Sequence, residues 1–456
     1  MKSFTRRDFI KNSVVSAAAL TALSRKNIAG ANDKVVLGVM GVGGRGTQLI
    51  RHLVKRSDVR IKYICDANTS RYSRAAEIVV EDHGYKPTFV QDFRRILDDP
   101  EVDAIVIATY EYWHALATIM ACQAGKDVYV EKPMSLSIWD GRKMVEAARK
   151  YNRIVQIGTQ NRSNPDLYTA AEYIKSGKLG DVYLARVYNM MLHNELQKGE
   201  ESAVPDGMDY ELWCGPGPKI LPYRPGSWWR GLWDFSCGGI VGDLAHQMDA
   251  LRVLIGKTYP ETVSNEGGVF YLKDGREAPD TQFATYKFDE MTLVAQSSLW
   301  APYMLKTPVS VRNSDRHPEW LFSSTKIEIC GTKGMLFYGR HGGGWQVYAG
   351  NTTADSPASQ RGTGKNELVA DVFARQGGDL HVENFVNCIR TRQKPNADVE
   401  EVHISMILCH LANISYRVGN RKLKFDSKTE TFIGDNEANK YLKANYRKPW
   451  VIPDKV

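Results

Sequence analysis

The chain has 456 residues, of which 43% are hydrophobic and 10% aromatic, a composition typical of a globular protein with two domains. Its 60 Lys and Arg residues outnumber 52 Asp and Glu residues, giving a net charge of +8. Six of the basic residues but only one acid lie in the first 31 positions, so the remaining chain is nearly neutral. The absence of a basic stripe excludes nucleic acid as an expected partner.

The first 31 residues are predicted to be a twin-arginine signal peptide. Thr5 to Lys11 combines an Arg pair with Phe, Ile and Lys, and an apolar run from Val14 to Leu23 follows. That run is too short for a transmembrane helix, so no stable membrane anchor is expected. Small residues at Ala29 and Ala31 suggest cleavage before Asn32. The expectation is export of a folded protein to the periplasm, with the twin-arginine machinery as a partner; the alternative is an uncleaved amphipathic helix.

A buried strand and a glycine-rich turn follow the signal. Val35 to Met40 is a continuous apolar run, which favours a strand buried on both faces. It leads into a G-x-G-x-x-G loop and a helical pattern, the arrangement that holds a dinucleotide pyrophosphate. The predicted cofactor-binding residues in this loop are Gly41, Val42, Gly43, Gly44, Arg45 and Gly46.

The end of the second strand bears on the choice of cofactor. Val59 to Cys65 is followed by Asp66, 20 residues beyond the last glycine of the loop. A carboxylate at this point accepts hydrogen bonds from ribose hydroxyls and repels a 2'-phosphate, which favours NAD over NADP. Arg71 weakens this preference, because a nearby cation could hold that phosphate.

Alternating strands and helices continue to residue 158. Strands are predicted at 104–108, 128–130 and 154–157, with helices around 114–124 and 139–150, as expected for a doubly wound parallel sheet. The strand at 128–130 ends in Glu131, Lys132 and Pro133, at the sheet edge where ligands of such folds bind. A surface ion pair beside a turn proline is the alternative.

Together these motifs resemble the glucose-fructose oxidoreductase and inositol dehydrogenase family (Gfo/Idh/MocA) over residues 34–456. The resemblance implies that Lys132 lies beside the nicotinamide and the reacting hydroxyl, and acts in proton transfer. It also implies cofactor contacts by residues at the next strand ends: Thr109, Tyr110, Trp113, His114, Glu131, Lys132 and Gln160, with Arg71 nearer the ribose. Arg162 is expected on the substrate side.

The second domain, residues 159–456, is predicted to be α+β with a large, open, mainly antiparallel sheet that also supports a homodimer or homotetramer. An aromatic-rich stretch precedes the sheet strands. Sugar rings stack on aromatic faces and sugar hydroxyls bond to arginine, so Trp229 and Arg230 are candidate substrate contacts. Packing of a long loop is the alternative role for these side chains.

A glycine pair, Gly238 and Gly239, opens a helical segment that contains Asp243, His246 and Asp249. The family resemblance implies that His246 and an acid near it lie beside Lys132, so His246 and Asp243 are candidate catalytic residues. Asp243 precedes His246 by three positions rather than the family's usual four. Asp249 is expected to support His246 structurally. The same spacing could bind a metal, but no further His or Cys cluster accompanies it, so no metal is predicted.

Three function classes stay open. The first is an NAD-dependent oxidoreductase acting on a hydroxyl of a sugar, glycoside or cyclitol. Its cofactor would be tightly bound and recycled, because an exported enzyme meets no free NAD pool. The second is a redox-neutral glycoside hydrolase or lyase that oxidises a sugar transiently. The third is a protein that holds NAD structurally, which the intact Lys132 and His246 disfavour.

Overall fold

The computed structural model describes residues 34–312, 314–350, 365–375 and 377–456. The predicted twin-arginine signal of residues 1–31 lies outside this range. None of the helices in the described ranges is long and apolar enough to span a membrane. The seven cysteines all lie in the described part of the chain, where they are buried and free.

The first sheet has six parallel strands in the order β3-β2-β1-β4-β5-β6. They are β1 (Val35–Met40), β2 (Val59–Cys65), β3 (Thr88–Val90), β4 (Ala104–Ile107), β5 (Asp127–Val130) and β6 (Val155–Ile157). The apolar runs of β1, β4, β5 and β6 are almost fully buried on both faces, which explains why they lack the alternation of half-exposed strands. The strand order reverses between β1 and β4, so a crevice opens beyond their carboxyl ends.

Helices cover both faces of this sheet. They are α1 (Gly44–Leu53), α2 (Tyr72–His83), α3 (Arg94–Leu97), α4 (Glu111–Gln123) and α5 (Ile138–Lys150). Leu49 and Leu53 of α1 pack with α2 in one apolar core, whereas α4 and α5 belong to a second core on the other face. The structure therefore confirms the predicted doubly wound arrangement.

The second sheet has ten strands among the described residues, in the order β14-β13-β12-β11-β7-β10-β9-β8-β15-β16. They are β7 (Val182–Met190), β8 (Thr262–Gly268), β9 (Thr281–Lys287), β10 (Thr292–Ser298), β11 (Lys326–Gly331), β12 (Gly334–Gly339), β13 (Trp345–Gly350), β14 (Asn366–Val372), β15 (Leu423–Asp426) and β16 (Thr431–Phe432). Only the pair β7 and β10 is parallel among these neighbours. This confirms the predicted large, mainly antiparallel sheet.

The helices of the second half line one face of that sheet and reach back to the first. They are α6 (Pro165–Lys175), α7 (Tyr210–Cys214), α8 (Gly238–Gly242), α9 (Ala245–Ile255), α10 (Val309–Arg312), α11 (Gly378–Thr391), α12 (Val399–Arg417) and α13 (Asn436–Asn439). Phe385 and Val386 of α11 join the core around α1 and α2. A helix from late in the chain thus completes one face of the nucleotide-binding sheet.

The C-terminal segment, residues 443–456, also packs on the first half of the chain. The Tyr446 hydroxyl donates to Asp140 Oδ2 at 2.7 Å. The rings of Trp450 and Trp113 meet edge to face, with centroids 5.0 Å apart. Helix α4, which carries Trp113, is therefore held in place by the end of the chain.

Candidate functional site

The glycine-rich turn after β1 forms one wall of a cleft of about 600 Å³. Gly41 has a φ of 85°, a conformation that L residues with a side chain rarely adopt. A Cβ on Gly46 would lie 1.9 Å from the carbonyl oxygen of Gly41, so α1 packs against the turn only because residue 46 is glycine. Gly41 thus forms the tight turn, and Gly46 allows α1 to pack closely against it.

The N-terminus of α1 opens into the same cleft. Gly43 is the N-cap residue, and neither a side-chain cap nor an acidic side chain in the first turn competes for the helix N-H groups. Such free N-H groups bind phosphate oxygens. The turn therefore fits a pyrophosphate.

Asp66 stands beside the turn at the end of β2. Its Oδ2 accepts a hydrogen bond from the Val42 N-H, and its Oδ1 accepts one from the Asn68 N-H, both at 3.0 Å. The Arg71 guanidinium lies 4.0 Å from this carboxylate and above Gly43. Asp66 is thus fixed where it can accept hydrogen bonds from a ribose, while Arg71 partly compensates its charge at the cleft.

Glu131 is buried at the centre of a polar cluster. It accepts hydrogen bonds from Arg45 Nε at 2.8 Å, the Tyr129 hydroxyl at 3.1 Å and Gln160 Nε2 at 3.2 Å. Burial alone would raise the pKa of Glu131, but the Arg45 guanidinium lowers it below its usual value. Arg45 and Gln160 therefore both donate hydrogen bonds to Glu131. All three residues were predicted to bind the cofactor. Their contacts connect the glycine-rich turn to the end of β5, next to Lys132.

Lys132 crosses from the first sheet to the second half of the chain. Its Nζ donates to the carbonyl oxygen of Gly242 at 2.5 Å and to Asp243 Oδ1 at 3.3 Å. Burial would raise the pKa of Asp243, but the positive charge of Lys132 lowers it below its usual value, which favours the carboxylate form of Asp243. Sequence motifs 110 residues apart thus meet at one point.

The position of Asp243 has a local cause. Helix α8 ends at Gly242 and α9 begins at Ala245, so Asp243 lies in the break between two helices. The departure from the family's usual spacing therefore does not prevent Asp243 from reaching Lys132, because the two residues are not on one continuous helix.

His246, in the first turn of α9, is buried and lines a cavity of about 760 Å³ together with Lys132. Burial lowers the pKa of His246 well below its usual value, and the positive charges of Arg340 and Lys132 lower it further. Within the described residues its Nδ1 has no hydrogen-bond partner. His246 is therefore a neutral imidazole whose Nδ1 lacks a hydrogen-bond partner among the described residues. It lines the same cavity as Lys132.

His114 has a different surrounding from the one expected. Its Nδ1 is 2.6 Å from the carbonyl oxygen of Pro133, and its Nε2 is 3.2 Å from that of Thr109. Both ring nitrogens face backbone carbonyl oxygens, and the neutral imidazole donates its one N-H to one of them, so His114 holds the turn after Lys132 against the end of β4. The structure does not leave this histidine free for direct cofactor binding.

The aromatic residues near the cleft mainly pack against one another. Trp113 is buried and donates to the carbonyl oxygen of Leu212 at 3.0 Å, although one edge lines the cleft. Trp229 is also buried and meets Tyr110 edge to face, with centroids 4.5 Å apart. Arg230 lies over Trp229 and borders both the cleft and a second cavity of about 390 Å³ that reaches Lys132. Arg230 is therefore better exposed to a ligand than Trp229.

The structure does not bring Arg162 to the site. Its guanidinium is buried and forms three contacts with the carboxylate of Asp249, each 2.8–2.9 Å long. The expected substrate contact of Arg162 is wrong, because its guanidinium is already paired with Asp249 inside the protein. Asp249 is likewise not a partner of His246; its second contact is the Ser405 hydroxyl at 2.7 Å. Asp243 and Asp249 thus bind different cations, and the described residues contain no metal-binding cluster.

Sequence reasoning missed several residues of this region. Arg340 and His341, which follow β12, line the cavity of Lys132 and His246 from the far side, as do Lys306 and Arg312. The signal that could have found two of them is an arginine and a histidine directly before three glycines, at positions 342–344, and after the apolar run of residues 335–338. Glu111, at the start of α4, lines the second cavity, where burial raises its pKa.

Two sequence models match the chain. A model described as an oxidoreductase family with an NAD-binding Rossmann fold matches residues 35–159, and its C-terminal alpha/beta domain matches residues 188–268 and 368–452. Together they cover more than half of the chain. The chain belongs to the Gfo/Idh/MocA oxidoreductase family. This confirms the expected family and the NAD-binding domain.

Curated relatives of this Gfo/Idh/MocA member are distant. An uncharacterized oxidoreductase of Streptococcus pneumoniae is 28% identical over 51% of this chain and 53% of its own length. A Shewanella glycosyl hydrolase family 109 protein is 33% identical over 34% of this chain and 39% of its own length. A myo-inositol 2-dehydrogenase of Thermotoga maritima is 27% identical over 66% of this chain and 74% of its own length. The chain thus spans about half or less of the length of the first two relatives.

Solved structures share the fold at low identity. An aldose-aldose oxidoreductase from Caulobacter crescentus, complexed with glycerol, aligns with a TM-score of 0.60 and 19% identity over 86% of this chain and 100% of its own. The WlbA dehydrogenase from Chromobacterium violaceum, in complex with NADH and UDP-GlcNAcA, aligns with a TM-score of 0.61 and 19% identity over 88% and 99%. Both have the same two-sheet architecture.

The position of Asp66 leads to a prediction about cofactor choice. Replacing Asp66 with Ser removes the carboxylate that repels a 2'-phosphate and leaves Arg71 to attract one. We expect the preference for NAD over NADP to fall by about 10-fold or more, since one charge contact is worth about 1–3 kcal/mol. Isothermal titration of the cofactor-free protein with each dinucleotide measures the ratio. An unchanged ratio would contradict the role given to Asp66; Asp58→Ser, on the surface near α1, is the control.

Proposed function

We propose that this protein is an NAD-dependent oxidoreductase that acts on a hydroxyl of a sugar, glycoside or cyclitol. The observation that carries the proposal is the contact of Lys132 Nζ with Asp243 and Gly242, beside the glycine cleft and next to a neutral His246. Bound NAD would supply the acceptor for a hydride from the carbon that bears the hydroxyl. The named curated relatives and structural neighbours that act on sugars or cyclitols support this substrate class.

The residues of the cavity supply the other half of the reaction. Oxidising a secondary alcohol removes a proton from oxygen as well as a hydride from carbon, so a group must hold the hydroxyl and take the proton. Lys132 Nζ is fixed by two acceptors from the second half of the chain, which positions it for the hydroxyl. The neutral imidazole of His246 lines the same cavity and can accept the proton. Asp243 orients the lysine and balances its charge.

The experiment that tests this proposal starts with the pure, full-length protein. Mass spectrometry after denaturation should release NAD with little NADP. Addition of sugars and cyclitols to the native protein should then produce the absorbance of bound NADH. Failure of every such substrate to reduce the bound cofactor would contradict an oxidoreductase of this class.

We also propose that the cofactor stays bound and is recycled, because the predicted signal in residues 1–31 would place the enzyme in the periplasm, away from free NAD. The protein should turn over repeatedly without added NAD when a second, carbonyl-bearing substrate takes up the hydride and a proton. Strict dependence on added NAD, with stoichiometric release of NADH, would contradict recycling.

Replacing Arg6 and Arg7 with Lys should leave a cofactor-loaded protein in the cytoplasm; unchanged export would contradict the signal.

A redox-neutral glycoside hydrolase is the second candidate, favoured by the match to a glycosyl hydrolase family 109 protein over part of the chain. Such an enzyme returns the hydride to the same carbon after cleavage. Incubation of glycosides in deuterated water separates the two functions by NMR. Free sugar with deuterium next to the transiently oxidised carbon indicates the hydrolase, whereas a stable keto product indicates the oxidoreductase.

We further propose a homodimer or homotetramer formed through the outer face of the second sheet. The inner face of β7, β9 and β10 is buried against helices, whereas the outer face leaves Phe283 41% exposed and Leu184 and Val294 half-buried. Covering these side chains would stabilise an assembly. Analytical ultracentrifugation of Phe283→Glu should show a smaller species than the unmodified protein; an unchanged oligomeric state would place the interface elsewhere.

A further inference from the structure

The cavity that contains Lys132 and His246 is also lined by three further cations. Lys306 precedes α10, Arg312 is the last residue of α10, and Arg340 follows β12. All three lie in segments that connect strands of the second sheet. One cavity is thus lined both by Lys132, at the edge of the first sheet, and by these three cations of the second half of the chain. We call the three cations the cationic wall.

These cations lack the partners that their neighbours have. Arg45 in the same cavity is paired with Glu131, and Lys132 with Asp243. In the described ranges, by contrast, no Asp or Glu oxygen lies within ion-pair distance of Lys306, Arg312 or Arg340. The acid that acts on both Lys306 and Arg340 at longer range is Asp243, which Lys132 already holds.

The electrostatics of the wall agree with unbalanced positive charge. Burial, with smaller contributions from Arg312 and Arg45, lowers the pKa of Arg340 to about 10 against the opposing effect of Asp243. The pKa of Lys306 is lowered by burial and then by Arg340. Clustered cations that lower each other's pKa are stabilised by a bound anion, which replaces the missing carboxylates.

The cofactor does not account for this wall. Its phosphates fit the cleft of Gly43 and Asp66, which Lys306, Arg312 and Arg340 do not line. The nicotinamide ring of oxidised NAD is itself positive, so it would add to the positive charge near Lys132. The missing negative charge must therefore come from the other ligand of the cavity.

We infer that the substrate is a sugar that carries an oxyanion, with its charged group against Arg340, Arg312 and Lys306. The inference rests on the proposed function and narrows its substrate class. Carboxylate, sulfate and phosphate groups share the paired oxygens that a guanidinium binds with two hydrogen bonds. Holding the substrate by its charged group would turn a ring hydroxyl toward Lys132 on the other side of the cavity, and such positioning favours reaction at one carbon.

The test uses the full-length, NAD-loaded protein and matched sugar sets: glucose, galactose and mannose, each with its uronate, 6-sulfate and 6-phosphate. Isothermal titration measures binding without turnover, and the absorbance of bound NADH measures oxidation. At least one oxyanion form should bind about 10-fold or more tightly than its neutral parent, and added salt should weaken that binding. The form that binds best identifies the oxyanion. Neutral parents that bind as tightly as all their charged forms would overturn the inference.

Variants show whether the wall is responsible. Arg340→Gln and Arg312→Gln should each lower the preference for the charged over the neutral sugar by about 10- to 100-fold, because each removes a charged hydrogen-bond donor. Arg316→Gln, an exposed arginine outside the cavity, is the matched control and should keep the preference. An undiminished preference in both cavity variants would overturn the inference.

The two proposals fail in different ways. If charged sugars bind preferentially but none reduces the bound cofactor, the oxyanion site stands and the proposed oxidoreductase function fails. If neutral sugars reduce the cofactor and no charged form binds more tightly, the function stands and the oxyanion site is wrong.

Discussion

Replacing Lys132 with Ala is expected to lower turnover by about 100-fold or more while the protein still binds NAD. The variant removes the group that bonds both Gly242 and Asp243, and with it the donor that we propose for the substrate hydroxyl. The cleft of the glycine turn is built by other residues, so cofactor content measured by mass spectrometry should be unchanged. Stopped-flow reduction of the bound cofactor isolates the affected step.

Two variants sharpen this result. Lys132→Arg keeps a positive charge but not a group that exchanges its proton readily, so it should be nearly as inactive as Lys132→Ala. The control is Lys55→Ala, which should keep full activity. Lys55 lies just after α1, and its side chain is 59% exposed. His246→Ala should lower turnover by a smaller factor, because Lys132 still holds the hydroxyl. A fully active Lys132→Ala protein would show that the chemistry takes place elsewhere.

Replacing Asp249 with Ala should be among the most destabilising single changes, at about 3–5 kcal/mol of unfolding free energy. It leaves the buried Arg162 guanidinium, whose side chain is 7% exposed, without its carboxylate and removes the shorter of the two hydrogen bonds that the Ser405 hydroxyl donates. Urea denaturation followed by circular dichroism measures the loss. A change below about 1 kcal/mol would contradict the structural role of this ion pair.

The same ion pair offers its own control experiments. The double variant Arg162→Met with Asp249→Leu removes both charges together and should recover most of the lost stability, because no buried charge stays unpaired. Asp379→Ala breaks a surface pair with Lys55, where the Asp379 side chain is 61% exposed, and should cost no more than about 1 kcal/mol. If Arg162 bound substrate instead, Arg162→Met would raise the KM without lowering stability.

The parts of the site that the sequence predicts are those built by neighbouring residues. The glycine turn depends on β1 running directly into α1, and Asp66 on its position at the end of β2, so local pattern suffices for both. Lys132 follows β5 in the same way. Each of these positions is set by a short strand, a tight turn and the edge of one parallel sheet.

The remaining parts depend on contacts between distant segments. Arg162 and Asp249 are 87 positions apart, and no local pattern shows that they neutralise each other. Asp243 reaches Lys132 because a helix breaks at one residue, which spacing alone does not predict. The glycine-containing strands β8 and β12 lack a clear alternation of polar and apolar residues, so the full width of the second sheet is not evident from sequence.

The packing of the C-terminal segment and α11 onto the first sheet has a consequence for the order of events during synthesis. The nucleotide-binding half leaves the ribosome first, but the core that α1 and α2 form on one face of its sheet stays incomplete until Phe385 and Val386 have been made. Helix α4 gains its contact with Trp450 only at the very end. A stable cofactor site is therefore expected only after nearly the whole chain has been translated, and a fragment ending at residue 158 should neither fold stably nor retain NAD.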